Sequence, residues 1–138
     1  MLGSELLMGY SQPQTRLAVV RLPAEIDGTN AREEGRDLPA AVVPGAIAVI
    51  ADMTATTFCD SSGVQMLALV HELAVANQAK LVLVVPSAAV LQVLSLSGLD
   101  VLLPVYPRLD EALSAESVLE AGAGQLAVRV GRWPGGGG

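Results

Sequence analysis

Asp60-Ser61-Ser62-Gly63 stands between two apolar segments of different period, and the fold turns on what happens at that junction. Upstream, Ala46 to Ala51 is a near-continuous apolar run rich in Ile, Val and Ala, of the kind found in a strand buried inside a sheet. Downstream, Met66, Leu69, Val70 and Leu73 recur at offsets of three, four and seven, which predicts a helix over 63–78 with His71, Glu72 and Gln78 on its wetter side. A strand that leads directly into a helix needs a tight turn, which Gly63 permits, and a cap, which either Asp60 or Ser61 can supply. The same hydroxyls have a second reading. A phosphate on Ser62 would add about −1.5 to −2 charge beside Asp60 at the helix tip, so the cluster is either a cap or a switch.

Working outward, Thr15 to Leu22 places Leu17, Val19 and Arg21 on one side and Ala18, Val20 and Leu22 on the other, a strand ended by Pro23. Glu25-Ile26-Asp27-Gly28-Thr29-Asn30 supplies a turn and an N-cap for a helix over 31–43, with its charges early and a kink at Pro39. Lys80 to Val85 reads as a second buried strand stopped by Pro86. Ser87 then caps a helix that carries Val90, Leu91 and Leu94 and ends at Gly98. A short edge-like strand over 101–105 and a last helix over 109–114 complete the pattern. Strands alternating with helices imply an α/β sandwich with a mostly parallel or mixed sheet and right-handed crossovers. The expected organisation is a flexible segment over 1–14, one domain over 15–115 and a flexible Gly-rich tail over 116–138, unless Leu126, Val128 and Val130 add a strand.

Composition narrows the function. A chain of 138 residues suits one domain that buries roughly 70% of its unfolded surface. Hydrophobic residues make up 51% of it and aromatics 3%, so the core is aliphatic and there are few platforms on which nucleic-acid bases could stack. A formal net charge of −6 disfavours phosphate backbones and anionic membranes, and favours a basic protein partner. No direct nucleic-acid contact is expected. Cys59 is the single cysteine, which excludes an intramolecular disulfide and suits a reducing cytoplasm. Residues 1–14 contain no Lys or Arg ahead of their apolar patch and do not read as a signal peptide. The apolar run over 38–51 holds Pro39, Pro44 and Gly45 and falls short of the about 20 residues that a bilayer span needs, so no membrane insertion is expected.

Other chemistries fit poorly. Cys59 with His71 would make a thiol enzyme only within hydrogen-bond reach, yet His71 falls more than two turns into the predicted helix while Cys59 precedes it. One His and one Cys cannot furnish a structural zinc site. Gly122-Ala123-Gly124-Gln125-Leu126-Ala127 matches a dinucleotide fingerprint formally, but a helical segment precedes it and a glycine run follows. Lys80 is the only lysine and no phosphate-binding Gly-Lys-Ser or Gly-Lys-Thr occurs, and Glu33-Glu34 suits a solvated face. Neither catalysis nor a cofactor is expected.

Four stretches together resemble one family: Glu25-Ile26-Asp27, Ala51-Asp52-Met53-Thr54, Phe58-Cys59-Asp60-Ser61-Ser62-Gly63, and the Val-Tyr-Pro-x-Leu-x-x-Ala-Leu pattern over 105–113. The chain over 15–115 is similar to the STAS domain of anti-anti-sigma factors, which capture the anti-sigma factor that holds a sigma factor. The resemblance implies a central mixed, mostly parallel sheet of four or five strands with helices mainly on one face. It also implies a partner with a histidine-kinase-like ATPase domain, phosphorylation at Ser62, and partner contacts through Asp27, Asp60, Ser61, Gly63 and Met66. The alternative within the same family is a constitutive subunit of a transporter-associated or signalling assembly. There Ser62 would only cap. Pro39 and the Gly-rich tail depart from the family pattern.

Overall fold

Alternation in the first strand sets up two cores. In the computed structural model, which describes residues 17–31, 38–42, 45–120 and 128–131, β1 is Leu17–Arg21. Leu17 and Val19 enter one apolar cluster, and Ala18, Val20 and Leu22 enter another on the opposite face. Strand β2 is Glu25–Ile26, β3 is Ala48–Asp52 and β4 is Phe58–Cys59. β3 is buried along its whole length and is followed, after β4, by helix α1, Ser61–Ala76. Next come β5, Lys80–Val84, helix α2, Ala88–Ser97, and the short helix α3, Leu99–Leu102. β6, Val105–Tyr106, helix α4, Leu109–Glu120, and β7, Val128–Gly131, complete the order.

The main sheet has 5 strands in the order β6-β5-β3-β1-β7, and every pairing among the described residues is parallel. Among the described residues the mostly parallel sheet that was expected is parallel at each of its pairings. Apolar strands β3 and β5 occupy interior places because both of their faces are covered, as parallel sheets require. Residues from α1, α2 and α3 (Met66, Leu67, Val70, Val90, Leu94, Leu99) cover one face together with Leu38 and Ala41. On the other face, α4 supplies Ala112, backed by Leu109 and Leu113. Helices therefore lie mainly on one face.

Three expectations change in detail. Residues 101–102 belong to α3 rather than to an edge strand, because Gly98 in the left-handed region (φ 83°) closes α2 and starts the next turn directly. The strand that remains is Val105–Tyr106 alone. Where a tail was expected from 116 onward, α4 continues to Glu120 and β7 pairs with the otherwise open edge of β1, Leu17 opposite Val128. Glu116 is buried there, with Lys80 Nζ 2.9 Å from its Oε1, which offsets the cost of enclosing a carboxylate. The segment 1–14, Glu33-Glu34 near the start of the expected 31–43 helix, the 122–127 glycine motif and the glycine run at the end lie outside the described residues.

Candidate functional site

A second, 2-stranded sheet builds the site. β2 and β4 pair in parallel, Glu25 with Phe58 and Ile26 with Cys59, and Asp60 N donates to Ile26 O at 3.1 Å. This small ladder clamps the turn after Ile26 against the start of α1. In the turn, Asp27 accepts from Thr29 N at 2.9 Å and from Thr29 Oγ1 at 2.5 Å, and Asp27 N donates to Asn30 Oδ1 at 2.9 Å. The Thr29 hydroxyl, then the Thr29 amide, hold the Asp27 carboxyl below its ordinary range, so this half-buried group is an anion at neutral pH.

At the helix start, Asp60 is the N-cap. Its Oδ1 accepts from Ser62 N at 2.9 Å and from Gly63 N at 3.4 Å, placing negative charge on the positive end of the helix dipole. Among the described residues Ser62 Oγ has no hydrogen-bond partner. Ser61 is exposed and Ser62 half-buried. A Cβ built on Gly28 would lie 3.5 Å from Ser62 Oγ, so the glycine after Asp27 walls one side of the hydroxyl.

Gly63, expected among the partner contacts, has a packing duty at this junction. It is buried, and an added Cβ would come within 2.5 Å of Cys59 Sγ and 2.9 Å of Ile26 Cγ2. Its lack of a side chain lets the β2–β4 ladder press against α1. Cys59 is itself buried there, and burial, with Asp60 adding to it, pushes the thiol up to about 11. Such a thiol stays protonated at neutral pH and packs against Gly63.

From Ser62 an open groove of about 520 Å³ runs along α1, lined by Ala31 and Pro39 and, from α1, by Gln65, Met66, Leu69, Val70 and Leu73. Met66 is nearly buried and forms floor, while Leu69 and Leu73 are 66% and 39% exposed. The sequence pattern had assigned both leucines to the core. The core face of α1 is rotated from that expectation, onto Gly63, Met66, Leu67, Val70 and Ala74. Sequence reasoning also missed the β2–β4 ladder, Gly28 and the groove; the one available signal was the 62, 66, 69, 73 spacing. A second cavity, about 500 Å³, lies at the carboxyl ends of the main strands. There Arg108 is bound to Asp110 at 2.7 and 3.0 Å, and Arg21 Nε lies 4.0 Å from Asp52.

The fold and the junction together define a parallel α/β domain with an acid-capped helix start set beside a clamped turn. The chain belongs to the STAS domain family, whose model matches residues 11–112. Among solved structures it is similar to an anti-sigma factor antagonist from Mycobacterium paratuberculosis, with 30% identity, TM-score 0.62, and 75% of this chain and 88% of that chain covered. The SulP transporter STAS domain from Vibrio cholerae shares 24% identity at TM-score 0.64, covering 83% of this chain and 91% of that one. The anti-sigma factor antagonist SpoIIAA in its unphosphorylated form shares 23% identity at TM-score 0.60, covering 83% and 96%. These last two likenesses concern the fold alone. No curated protein matches the chain.

Proposed function

We propose that this protein is an anti-sigma factor antagonist that regulates sigma-factor-dependent transcription in the cytoplasm. Unphosphorylated, it docks on an anti-sigma factor with a histidine-kinase-like ATPase domain, using the Asp27 turn, Asp60, Ser61 and the Ser62 end of α1. The partner, which brings the ATP, phosphorylates Ser62 and the contact ends. This chain needs no cofactor of its own.

One observation carries the reading: Asp60 caps α1, which leaves the Ser62 hydroxyl free of that duty. A phosphate there would sit close to the turn that carries the half-buried Asp27 anion and at the mouth of the groove along α1. Helix amides favour such a charge, so the fold survives. A docked partner does not tolerate it, because like charge and the desolvation of a dianion both oppose the interface. The antagonist from Mycobacterium paratuberculosis, at 30% identity, supports the class of partner. A phosphorylated form of SpoIIAA has also been solved, at 25% identity to this chain and TM-score 0.56.

Mixing the protein with individual anti-sigma kinases and ATP tests the reading. Wild type is expected to bind and take up phosphate, Ser62→Ala to bind without taking it up, and Ser62→Asp to bind at least about 100-fold more weakly, roughly 2.7 kcal/mol. Equal binding by all three would remove the switch. Stable binding to a membrane-transporter partner with no phosphoserine would instead favour the constitutive subunit.

A further inference from the structure

We infer that the groove along α1 seats an amphipathic helix of the anti-sigma partner, one with an apolar stripe about three turns long and a basic residue directed at Glu72. The inference rests on the docking reading above and extends it away from Ser62. Ser62, Met66, Leu69 and Leu73 follow one another at steps of four, three and four, so they line one side of α1 over ~16 Å, at 1.5 Å per residue. Ala31 and Pro39 line the groove with them. Leu69 and Leu73 remain substantially open to solvent although their spacing is that of a core stripe. An open trough of that length, apolar at Met66, Leu69, Val70 and Leu73 with Gln65 beside them, matches the i, i+3/i+4, i+7 anchors of a helix laid in a groove.

Charge chooses between occupants. Glu72 is exposed beside Leu69 and Leu73, Asp27 is an anion at the opposite end, and the chain carries a formal net charge of −6. A second copy of this acidic chain, or an anionic lipid surface, meets repulsion here, whereas a basic-flanked helix meets attraction. Placing the basic residue at Glu72 also agrees with release by phosphate. Glu72 lies ten helical steps from Ser62, ~15 Å along the axis, beyond the ~8 Å screening length at physiological salt. The phosphate therefore gains little from that residue, and acts on the apolar end of the occupant through desolvation.

The test titrates the full-length protein with the purified anti-sigma kinase that binds it and phosphorylates Ser62. The double variant Leu69→Ser/Leu73→Ser is expected to raise Kd by about 10- to 100-fold, as loss of a hot spot does. Leu96→Ser/Val101→Ser, which alters residues 84% and 88% exposed on α2 and α3, serves as a control and should stay within about twofold. Glu72→Lys should weaken binding several-fold and flatten its salt dependence. Thermal unfolding checks that each variant folds. If the groove variants bind like wild type while Ser62→Asp still fails to bind, the groove proposal is overturned and the switch stands. If wild type self-associates and Leu69→Ser/Leu73→Ser dissolves the dimer, the occupant is a second copy and the proposal is equally overturned. If no anti-sigma kinase binds wild type, both readings fall together.

Discussion

Two helices of this domain start with a serine nearby, and the two serines have opposite duties. At α2 the Ser87 hydroxyl is the cap, accepting from Val90 N at 3.2 Å. At α1 the cap is the Asp60 carboxylate, and Ser62 lies two positions further on, giving its amide to that cap but not its hydroxyl. The third helical position differs as well. Val90 fills it in α2 and is buried in the core, while Gly63 fills it in α1 because the β2–β4 ladder occupies the space a side chain would need. A serine at a helix start is thus not a site in itself. What makes Ser62 available is that an acid has taken over the structural work and a glycine lets a second chain segment approach.

The sharpest way to break this contrast is at the third position. Gly63→Ala forces a Cβ to within 2.5 Å of Cys59 Sγ and 2.9 Å of Ile26 Cγ2, both in buried side chains, and should cost about 2 to 3 kcal/mol in urea unfolding. Adding Cys59→Ala to that variant removes the nearer clash and should recover part of the loss. A neutral Gly63→Ala would mean that the ladder does not press on α1 as described. Next in size are the caps themselves. Asp60→Ala removes an acceptor shared by two amides together with its charge at the helix dipole, and should cost about 1 to 2 kcal/mol. Ser87→Ala removes one neutral hydrogen bond and should cost about 1 kcal/mol. The reverse ranking would mean that Asp60 is not the main support of α1.

Much of the architecture was legible because aliphatic patterning carries it. Alternation in β1 announced two faces, and the apolar runs of β3 and β5 announced interior places in a parallel sheet. The Ser87 cap and the Gly98 stop were readable from single residues with one strong backbone preference. Elsewhere local pattern pointed the wrong way. Leu99-Asp100-Val101-Leu102 resembles a strand by content, but the left-handed Gly98 hands the chain from one helix to the next. Leu69 and Leu73 have the spacing of core residues, and hydrophobicity alone cannot distinguish a face buried by the chain from one left for something else. Strands of two residues such as β2 and β4 have no period to detect, and their partners are more than thirty positions apart in the sequence. Asp27 and Ser62 were recognisable as a pair only through family resemblance; the ladder supplies the physical reason that their segments meet.

The smallest expected effect decides most cleanly between cap and switch. If Asp60 alone supports the start of α1, Ser62→Ala removes a hydroxyl with no partner among the described residues and replaces it with the best helix former. Stability should then change by no more than about 0.5 kcal/mol, and in either direction. Ser87→Ala, measured in the same urea series, provides the internal standard of what a working serine cap is worth. Should Ser62→Ala cost as much as Ser87→Ala, its hydroxyl is structural and phosphate there would damage the helix it was thought to leave intact. A near-zero cost beside a measurable one at Ser87 would instead show that the domain keeps this oxygen at no structural expense, which is the condition a modifiable contact surface has to meet.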